Sequence, residues 1–111
     1  MDECLFCKIA KGEISSTKRY EDDQFFAFDD ISPKAKTHIL VIPKKHFGSI
    51  STLKNDDFLM VGKLIKTANK IAKKEGVQSF RLVFNTGSDA GMEIDHLHLH
   101  LLGGEKSRCL Y

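Results

Sequence analysis

Three histidines, His96, His98 and His100, alternate with leucines near the carboxyl end of this 111-residue chain. We predict that residues 94–102 form a β-strand. Successive side chains of a strand point to opposite faces, so the three imidazoles share one face and the leucines share the other. Neighbouring imidazoles are then about 6–7 Å apart along the strand. Because imidazole titrates near neutral pH, such a face can carry proton-transfer or nucleophilic chemistry.

This row of imidazoles allows three interpretations. It could be a metal site, but side chains at alternate positions of a straight strand diverge and do not converge on one ion. It could be a row of surface histidines, which would add no stability. It could be a nucleophilic imidazole that its two neighbours orient and polarise. The third interpretation fits the pattern best and predicts a catalytic site.

A polar loop, residues 85–91, comes directly before the histidine segment and contains Gly87 and Gly91. Glycines adopt positive φ and let backbone N–H groups approach an anion. The chain has neither a GxxxxGK[ST] nor a GxGxxG pattern, so the usual triphosphate and dinucleotide binding modes are not indicated. Lys and Arg number 17 and Asp and Glu number 15. That balance argues against a general nucleic-acid-binding protein.

The rest of the chain predicts a single α+β domain, residues 1–111, with a mostly antiparallel sheet. We expect a short helix first and a long helix, capped by Asn55, after the third strand. The predicted helices span residues 5–11 and 55–75, and the five predicted strands span residues 18–21, 24–28, 38–42, 80–84 and 94–102. An apolar stripe of the long helix, spaced every three or four residues, should face the core. Its members are Phe58, Val61, Leu64, Ile65, Ala68, Ile71 and Ala72.

The cysteine count also bears on the compartment of the protein. Cys4, Cys7 and Cys109 are an odd number of thiols, so they cannot all pair within one chain. Reduced thiols in a reducing compartment are the simpler interpretation. The first residues do not resemble a secretory signal, and no apolar run approaches the roughly 18 residues of a membrane span. We therefore expect a cytoplasmic protein that does not bind a membrane.

The motifs together resemble one known family. The matching segments are 30–33 (DISP), 37–38 (TH), 41–46 (VIPKKH), 85–91 (NTGSDAG), 96–101 (HLHLHL) and 102–104 (LGG). They resemble the histidine triad (HIT) superfamily, and within it the nucleotide-binding branch also called the protein kinase C-interacting protein or purine nucleoside phosphoramidase group. The resemblance covers roughly residues 4–104. It implies the HIT fold, with a five-stranded sheet, one long helix and a short N-terminal helix.

The resemblance also implies an activity. A member of this branch cleaves purine nucleoside 5′-monophosphoramidates, of the AMP-NH2 or AMP-lysine type, through a nucleotidyl-histidine intermediate. The nucleophile would be His98, and His96, His100 and His38 would support it. Two alternatives stay open: a dinucleoside polyphosphate hydrolase, and a nucleotide- or zinc-binding protein with little turnover. The family also implies a homodimer that pairs the long helix and an edge strand.

The nucleotide site implied by the resemblance has three parts. Asp30 matches the acid that binds the ribose hydroxyls. An apolar slot for the base matches Leu5, Phe6, Ile9, Phe28 and Ile31. The phosphate positions match Asn85, Gly91, Met92 and Glu93, together with His98 and His100. Met92 and Glu93 depart from the Gln and Ser or Thr that are usual there, and we expect Glu93 to favour a cationic leaving group.

Catalysis by this family requires no cofactor, but some members hold a structural zinc. The corresponding ligands here would be Cys4, Cys7, His46 and His96. A pair of cysteines spaced by two residues needs two further ligands, so the sequence leaves two interpretations open. One is this Cys2His2 zinc site, and the other is two buried thiols with a surface His46.

Overall fold

A computed structural model describes residues 4–106 of the chain. Its two helices and five strands follow one another in the predicted order, and the fold is α+β. The elements are α1 (Leu5–Ala10), β1 (Lys18–Glu21), β2 (Phe25–Asp29), β3 (Thr37–Pro43), α2 (Phe58–Lys74), β4 (Phe80–Val83) and β5 (Leu99–Gly103). Most bounds differ by one or two residues from the predicted ones, because the ends of elements depend on pairing that a sequence pattern does not show.

The five strands form one sheet in the order β1-β2-β3-β5-β4, and every neighbouring pair is antiparallel. Strand β5, the last of the strands within residues 4–106, therefore lies inside the sheet, between β3 and β4. In the register between β3 and β5, His38 lies opposite Leu102, and Leu40 lies opposite His100. This arrangement brings His38 and His100, which are far apart in sequence, to adjoining strands.

The two faces of the sheet bury different parts of the alternating segment. Leu97, Leu99 and Leu101 are at most 2% exposed and lie in the core that α2 covers, with Leu64 and Ile71. On the opposite face α1 covers a second apolar cluster, formed by Phe6, Ile9, Phe26, Phe28, Leu40 and Ile42. The histidines lie on this second face. The predicted alternation of leucines and imidazoles between two faces is confirmed.

The predicted start of the last strand is wrong. The strand begins at Leu99 and not at residue 94. The preceding residues bond differently. The Leu97 N–H donates to the Phe47 carbonyl of a loop at 2.8 Å, and the His96 N–H donates locally to the Ile94 carbonyl at 2.9 Å. His96 and His98 therefore precede β5 in the chain. Their rings do not have to follow the regular alternation and spacing of side chains along a strand.

The predicted start and apolar stripe of the long helix also need correction. Asn55 opens a 3₁₀ turn, Asn55–Asp57, and does not cap α2. Phe58 and Ile65 are 46% and 42% exposed rather than buried. The buried stripe is rotated toward Thr67, whose hydroxyl can be buried because it donates to the Lys63 carbonyl at 2.8 Å. Within residues 4–106, neither helix has the length and apolar character that crossing a membrane requires.

Gly103 gives a test of how β5 packs. A Cβ at this position would lie 2.6 Å from Val77 Cγ1 and 2.7 Å from the Ser79 carbonyl oxygen. We therefore expect Gly103→Ala to lower the free energy of unfolding by about 1–3 kcal/mol, measured by urea denaturation. Ser16→Ala, in an exposed loop, is the control and should change it by less than about 0.5 kcal/mol. Equal stability of the two variants would contradict this packing.

Candidate functional site

A cavity of about 530 Å³ opens on the face of the sheet that carries the histidines. Most residues of the predicted nucleotide site line it: Leu5, Phe6, Ile9, Phe28, Asp30, Ile31, Asn85, Gly91, Glu93, His98 and His100, together with His38. Met92 and His96 are not among the lining residues. The lining also includes residues that the sequence did not indicate: Ser32, Lys34, Leu40, Arg81, Val83, Ile94 and Leu102.

His98 is held by a hydrogen bond to the main chain. Its Nδ1 lies 2.7 Å from the His96 carbonyl oxygen, and because a carbonyl only accepts, Nδ1 must carry the proton. The side chain is 7% exposed, and the Phe6 ring contacts it edge-on at 5.1 Å between centroids. Burial lowers the pKa of His98, so the ring is neutral. A neutral ring with its proton on Nδ1 has a lone pair on Nε2, which is what a nucleophile requires.

His38 and His100 form a hydrogen-bonded pair beside His98. His38 Nε2 lies 2.9 Å from His100 Nδ1, and the Lys34 N–H donates to His38 Nδ1 at 3.0 Å. His100 Nε2 is buried and has no hydrogen-bond partner within the part of the chain that is described. Burial lowers the pKa of both rings, and that of His100 falls to about 4.

Asp30 lies at the end of the cavity next to this pair. Its Oδ1 accepts a hydrogen bond from the Ser32 N–H at 2.7 Å, which closes the turn after β2. Its Oδ2 lies 3.5 Å from His38 Nε2. Ile31, in the same turn, is 98% exposed. An apolar side chain this exposed on the rim of a cavity is available to cover a ligand.

The loop before the histidines is shaped by its two glycines. A 3₁₀ turn, Ser88–Ala90, lies between Gly87 with φ of 88° and Gly91 with φ of 98°, values that disfavour other residues. Asn85 and Gly91 both face the cavity. Glu93 is exposed and lines the cavity, whereas the neighbouring Met92 is not among the lining residues. The loop therefore contributes Asn85 and Gly91 to the lining of the cavity that His98 also lines.

A second cluster contains His96 and lies outside the cavity. It joins Cys4, Cys7, His46 and His96, and one ligand atom from each lies within 4.8 Å of the others. His96 Nδ1 is 3.3 Å from Cys4 Sγ and 3.5 Å from Cys7 Sγ, and His46 Nδ1 is 3.5 Å from Cys7 Sγ. The four residues that the family resemblance named, in one of the two interpretations left open, therefore lie together in the structure.

The chemistry of this cluster fits a metal ion. His96 Nε2 donates to the Pro43 carbonyl at 2.9 Å, so the lone pair is on Nδ1 and faces the two sulfurs. Metal-bound histidines commonly hold their second nitrogen in this way. Two sulfur and two nitrogen donors are a set that binds zinc with tetrahedral geometry. The cluster can therefore hold a metal, and His96 connects it to the cavity through its own carbonyl oxygen.

Some site residues could have been found from the sequence and others could not. Arg81 and Val83 are two residues apart in β4, so their side chains share one face of the sheet. The pairing of β4 with β5 then places them beside Leu102 and His100. Lys34 contributes a main-chain N–H, which every residue except proline has. The residue type at position 34 therefore does not indicate that this N–H belongs to the site.

The lowered pKa of His100 predicts a dependence of stability on pH. Since burial lowers this pKa from 6.5 to about 4, the unfolded chain binds more protons than the folded chain between these values. The contribution of His100 to the free energy of unfolding should therefore fall as pH drops through this interval and be constant above it. Urea unfolding at several pH values should show a steeper fall for the wild type than for His100→Gln. Equal slopes would contradict the buried neutral state of His100.

Comparison with known proteins agrees with this geometry. Residues 3–109 match the family described as "Scavenger mRNA decapping enzyme C-term binding". The chain is 42% identical over 105 residues to the purine nucleoside phosphoramidase of Escherichia coli (strain K12), which covers 93% of this chain and 88% of that protein.

Two crystal structures share the fold. The HIT family hydrolase of Legionella pneumophila is 48% identical, with a TM-score of 0.90 over 94% of this chain and 95% of that one. A histidine triad protein from Clostridium difficile is 46% identical, with a TM-score of 0.95 over the whole of both chains. The chain therefore belongs to the histidine triad (HIT) family and is a HIT-family hydrolase.

Proposed function

We propose that this protein hydrolyses purine nucleoside 5′-monophosphoramidates and that Nε2 of His98 is the nucleophile. The observation that carries the proposal is the 2.7 Å hydrogen bond from His98 Nδ1 to the His96 carbonyl oxygen. It leaves the lone pair on Nε2 of a cavity-lining, neutral ring. The name of the Escherichia coli relative, purine nucleoside phosphoramidase, supports the same substrate class.

The cavity offers a place for each part of such a substrate. The base would lie in the apolar slot formed by Leu5, Phe6, Ile9, Phe28 and Ile31. The ribose hydroxyls would donate to Asp30, because a carboxylate accepts two hydrogen bonds side by side. The phosphoryl group would then meet His98 and His100, with Asn85 and the backbone of Gly91 on its other side. The exposed Glu93 would favour an amine that carries a positive charge.

The reaction follows from these positions in two displacements. In the first, the Nε2 lone pair of His98 forms a bond to phosphorus and the P–N bond of the substrate breaks. Its electron pair leaves on the amine nitrogen, which takes up a proton from water. In the second, water attacks the nucleotidyl-histidine, loses a proton to solvent and releases the nucleoside monophosphate. The P–N electron pair returns to His98, which is again neutral.

We also propose that Cys4, Cys7, His46 and His96 hold a structural zinc ion. A closed Cys2His2 zinc stabilises the fold and leaves no open position for substrate. It would tie the start of α1 to the residue whose carbonyl orients His98. Cys4 and Cys7 form no disulfide with each other. We propose that the protein works in the cytoplasm, a reducing compartment that keeps such thiols available for zinc.

We further propose that the protein forms a homodimer. Strand β4 is at an edge of the sheet, and all four of its residues are half-buried. An edge strand leaves main-chain donors and acceptors unpaired, and a second copy can pair with them. Helix α2 exposes Phe58, Leu59 and Ile65 at 46%, 80% and 42%. Pairing of two β4 strands would extend the sheet and bring these apolar side chains toward a partner.

The zinc proposal predicts the metal content of the protein. Untagged wild-type protein should contain about one zinc per chain by elemental analysis, since a closed tetrahedral site binds tightly. Cys7→Ser should lose most of it, because three ligands would remain. Cys109→Ser, which changes a thiol outside the proposed ligand set, is the control and should keep its zinc. Less than a few tenths of a zinc per wild-type chain, on the order of an incidental contaminant, would contradict the proposal.

A substrate panel tests the proposed activity. We expect turnover of an adenosine phosphoramidate to exceed that of a diadenosine polyphosphate, and a cationic amine to leave faster than a neutral one. His98→Ala should lose turnover by a factor on the order of 1,000 or more, because it has no nucleophile, and should still bind AMP in calorimetry. Faster cleavage of the polyphosphate would favour the alternative hydrolase. Absence of turnover on every substrate would favour a binding protein.

A further inference from the structure

We propose that Arg81 binds a carboxylate carried by the leaving amine. The preferred substrates are then nucleotides joined through a P–N bond to an amino acid that has a free carboxyl group. The proposal rests on the proposed function, because the leaving amine is defined by the phosphoramidate that His98 would attack.

Arg81 is a half-buried cation that lines the cavity without a partner. Its guanidinium makes no hydrogen bond, ion pair or ring contact within the part of the chain that the structure describes. Arg19, by contrast, pairs with Asp29 at 2.8 Å and with Glu75 at 3.5 Å. Taking a charge partly out of water costs free energy unless an opposite charge pairs with it. An unpaired guanidinium in a cavity is therefore suited to an anionic ligand.

Arg81 belongs to the same face of the sheet as the histidines. Phe80, Leu82 and Phe84 pack against the core that α2 covers, so the alternate residues Arg81 and Val83 stand on the opposite face. Pairing of β4 with a second copy would use main-chain atoms in the plane of the sheet and would not cover this face. The guanidinium therefore stays open to a ligand in the proposed homodimer.

The strand order places Arg81 beyond the phosphoryl group. Phe28, in the proposed base slot, is on β2, and β4 is on the other side of β5. A nucleotide with its base at β2 and its phosphorus at His98 and His100 therefore has β4 on its leaving side. Neighbouring strands are about 4.8 Å apart, so β4 is within reach of a group attached to that phosphorus.

The direction of displacement leads to the same place. Attacking and leaving atoms lie roughly in line in phosphoryl transfer, so the leaving nitrogen is on the side of phosphorus away from His98. Along the chain His98 is followed by His100 and then by Leu102, and Arg81 lies opposite Leu102. Arg81 is thus about 6–7 Å farther along β4 than the residue opposite His100. A side chain as long as arginine can bridge that distance to a leaving group.

The charges of the cavity favour a carboxylate over further phosphates. A guanidinium binds either anion through two parallel hydrogen bonds, so Arg81 alone does not choose between them. Glu93 also lines the cavity, is exposed and makes no ion pair within residues 4–106. A polyphosphate chain would bring several negative charges into a cavity that already contains this carboxylate. An amino acid brings one carboxylate for Arg81, and lysine also brings an ammonium group that Glu93 would attract.

Lys34 does not replace Arg81 in this role. These two residues are the lysine and arginine among the described residues that line the cavity. Lys34 lies in the turn that follows Asp30, on the ribose side, and its Nζ donates to the Ser32 carbonyl at 3.0 Å. The cation on the leaving side is therefore Arg81.

A matched pair of substrates tests the carboxylate directly. In both, AMP is joined through phosphorus to the ε-amine of lysine, which carries either a free α-carboxylate or an uncharged carboxamide. We expect the wild-type kcat/KM to be about 10- to 100-fold higher for the carboxylate, the range of a hydrogen-bonded charge pair. Arg81→Gln should bring this ratio to within about threefold of one, because the guanidinium is lost.

The control removes a positive charge elsewhere. Lys73→Gln, which changes an exposed residue of α2, should keep the wild-type ratio. Since each ratio compares two substrates on one protein, a change in the folded fraction cancels. A wild-type ratio near one, or the same ratio in Arg81→Gln as in the wild type, would overturn the proposal.

Binding without turnover separates this proposal from the proposed function. In His98→Ala both compounds should stay intact, and calorimetry should show the carboxylate bound about 10-fold or more tighter than the carboxamide. Adding Arg81→Gln should remove the difference. If the difference is found and the wild type cleaves no phosphoramidate, the proposed function fails and the carboxylate site stands. If phosphoramidates are cleaved and the difference is absent, the carboxylate site fails.

ADP and AMP distinguish a carboxylate from a second phosphate. We expect His98→Ala to bind ADP no more than about threefold tighter than AMP, because Glu93 disfavours additional negative charge. A preference for ADP that depends on Arg81 and exceeds the preference for the carboxylate would assign Arg81 to a phosphate chain and overturn the proposal.

Discussion

Each imidazole of the site has one proton, and the main chain decides which nitrogen carries it. The His96 carbonyl accepts from His98 Nδ1, and the Pro43 carbonyl accepts from His96 Nε2. The Lys34 N–H donates to His38 and so sets the direction toward His100. Backbone groups cannot exchange these roles, so four similar side chains become chemically different. The nucleophile and the metal ligand that we propose both depend on this constraint.

Strand pairing and core packing hold these backbone groups in position. Strand β5 lies between β3 and β4, which holds His100 beside His38. On the other face, buried leucines fix the same segment against α2. The chain leaves the regular sheet only before Leu99, where His96 and His98 need a different spacing from that of a strand. His96 can therefore turn its ring to the cysteines and offer its carbonyl to His98.

The sequence pattern predicted the architecture, and the family resemblance indicated most of the residues that line the cavity. Period two separated the leucines from the histidines, because a half-buried strand alternates its faces. The resemblance to the HIT family indicated Asp30 and the apolar slot, although either could have been an ordinary turn or core residue. The N-terminal cysteines were left with two interpretations, since the sequence alone did not show whether the partners of a metal site would converge.

Other features depend on tertiary contacts and were not predictable from the sequence. The start of β5 was misplaced because the N–H of Leu97 pairs with a loop rather than a strand. Phe58 and Ile65 were expected in the core because their spacing fits a helical stripe, but the sheet covers a narrower part of α2. The Lys34 amide was missed because a main-chain donor has no residue signature. These misses concern where the chain pairs, and not which residue types carry the chemistry.

The central claim is that Nε2 of His98 is the nucleophile, and trapping its adduct tests this most directly. The wild-type protein would be mixed with an adenosine phosphoramidate, and the reaction would be stopped during turnover with a denaturant that contains no acid. The protein would then be digested and its peptides analysed by mass spectrometry. The account predicts a nucleotidyl group on the peptide that contains His98, attached at Nε2, and no adduct in His98→Ala. An adduct on His100 or His96, or steady turnover with no adduct on any histidine, would contradict it.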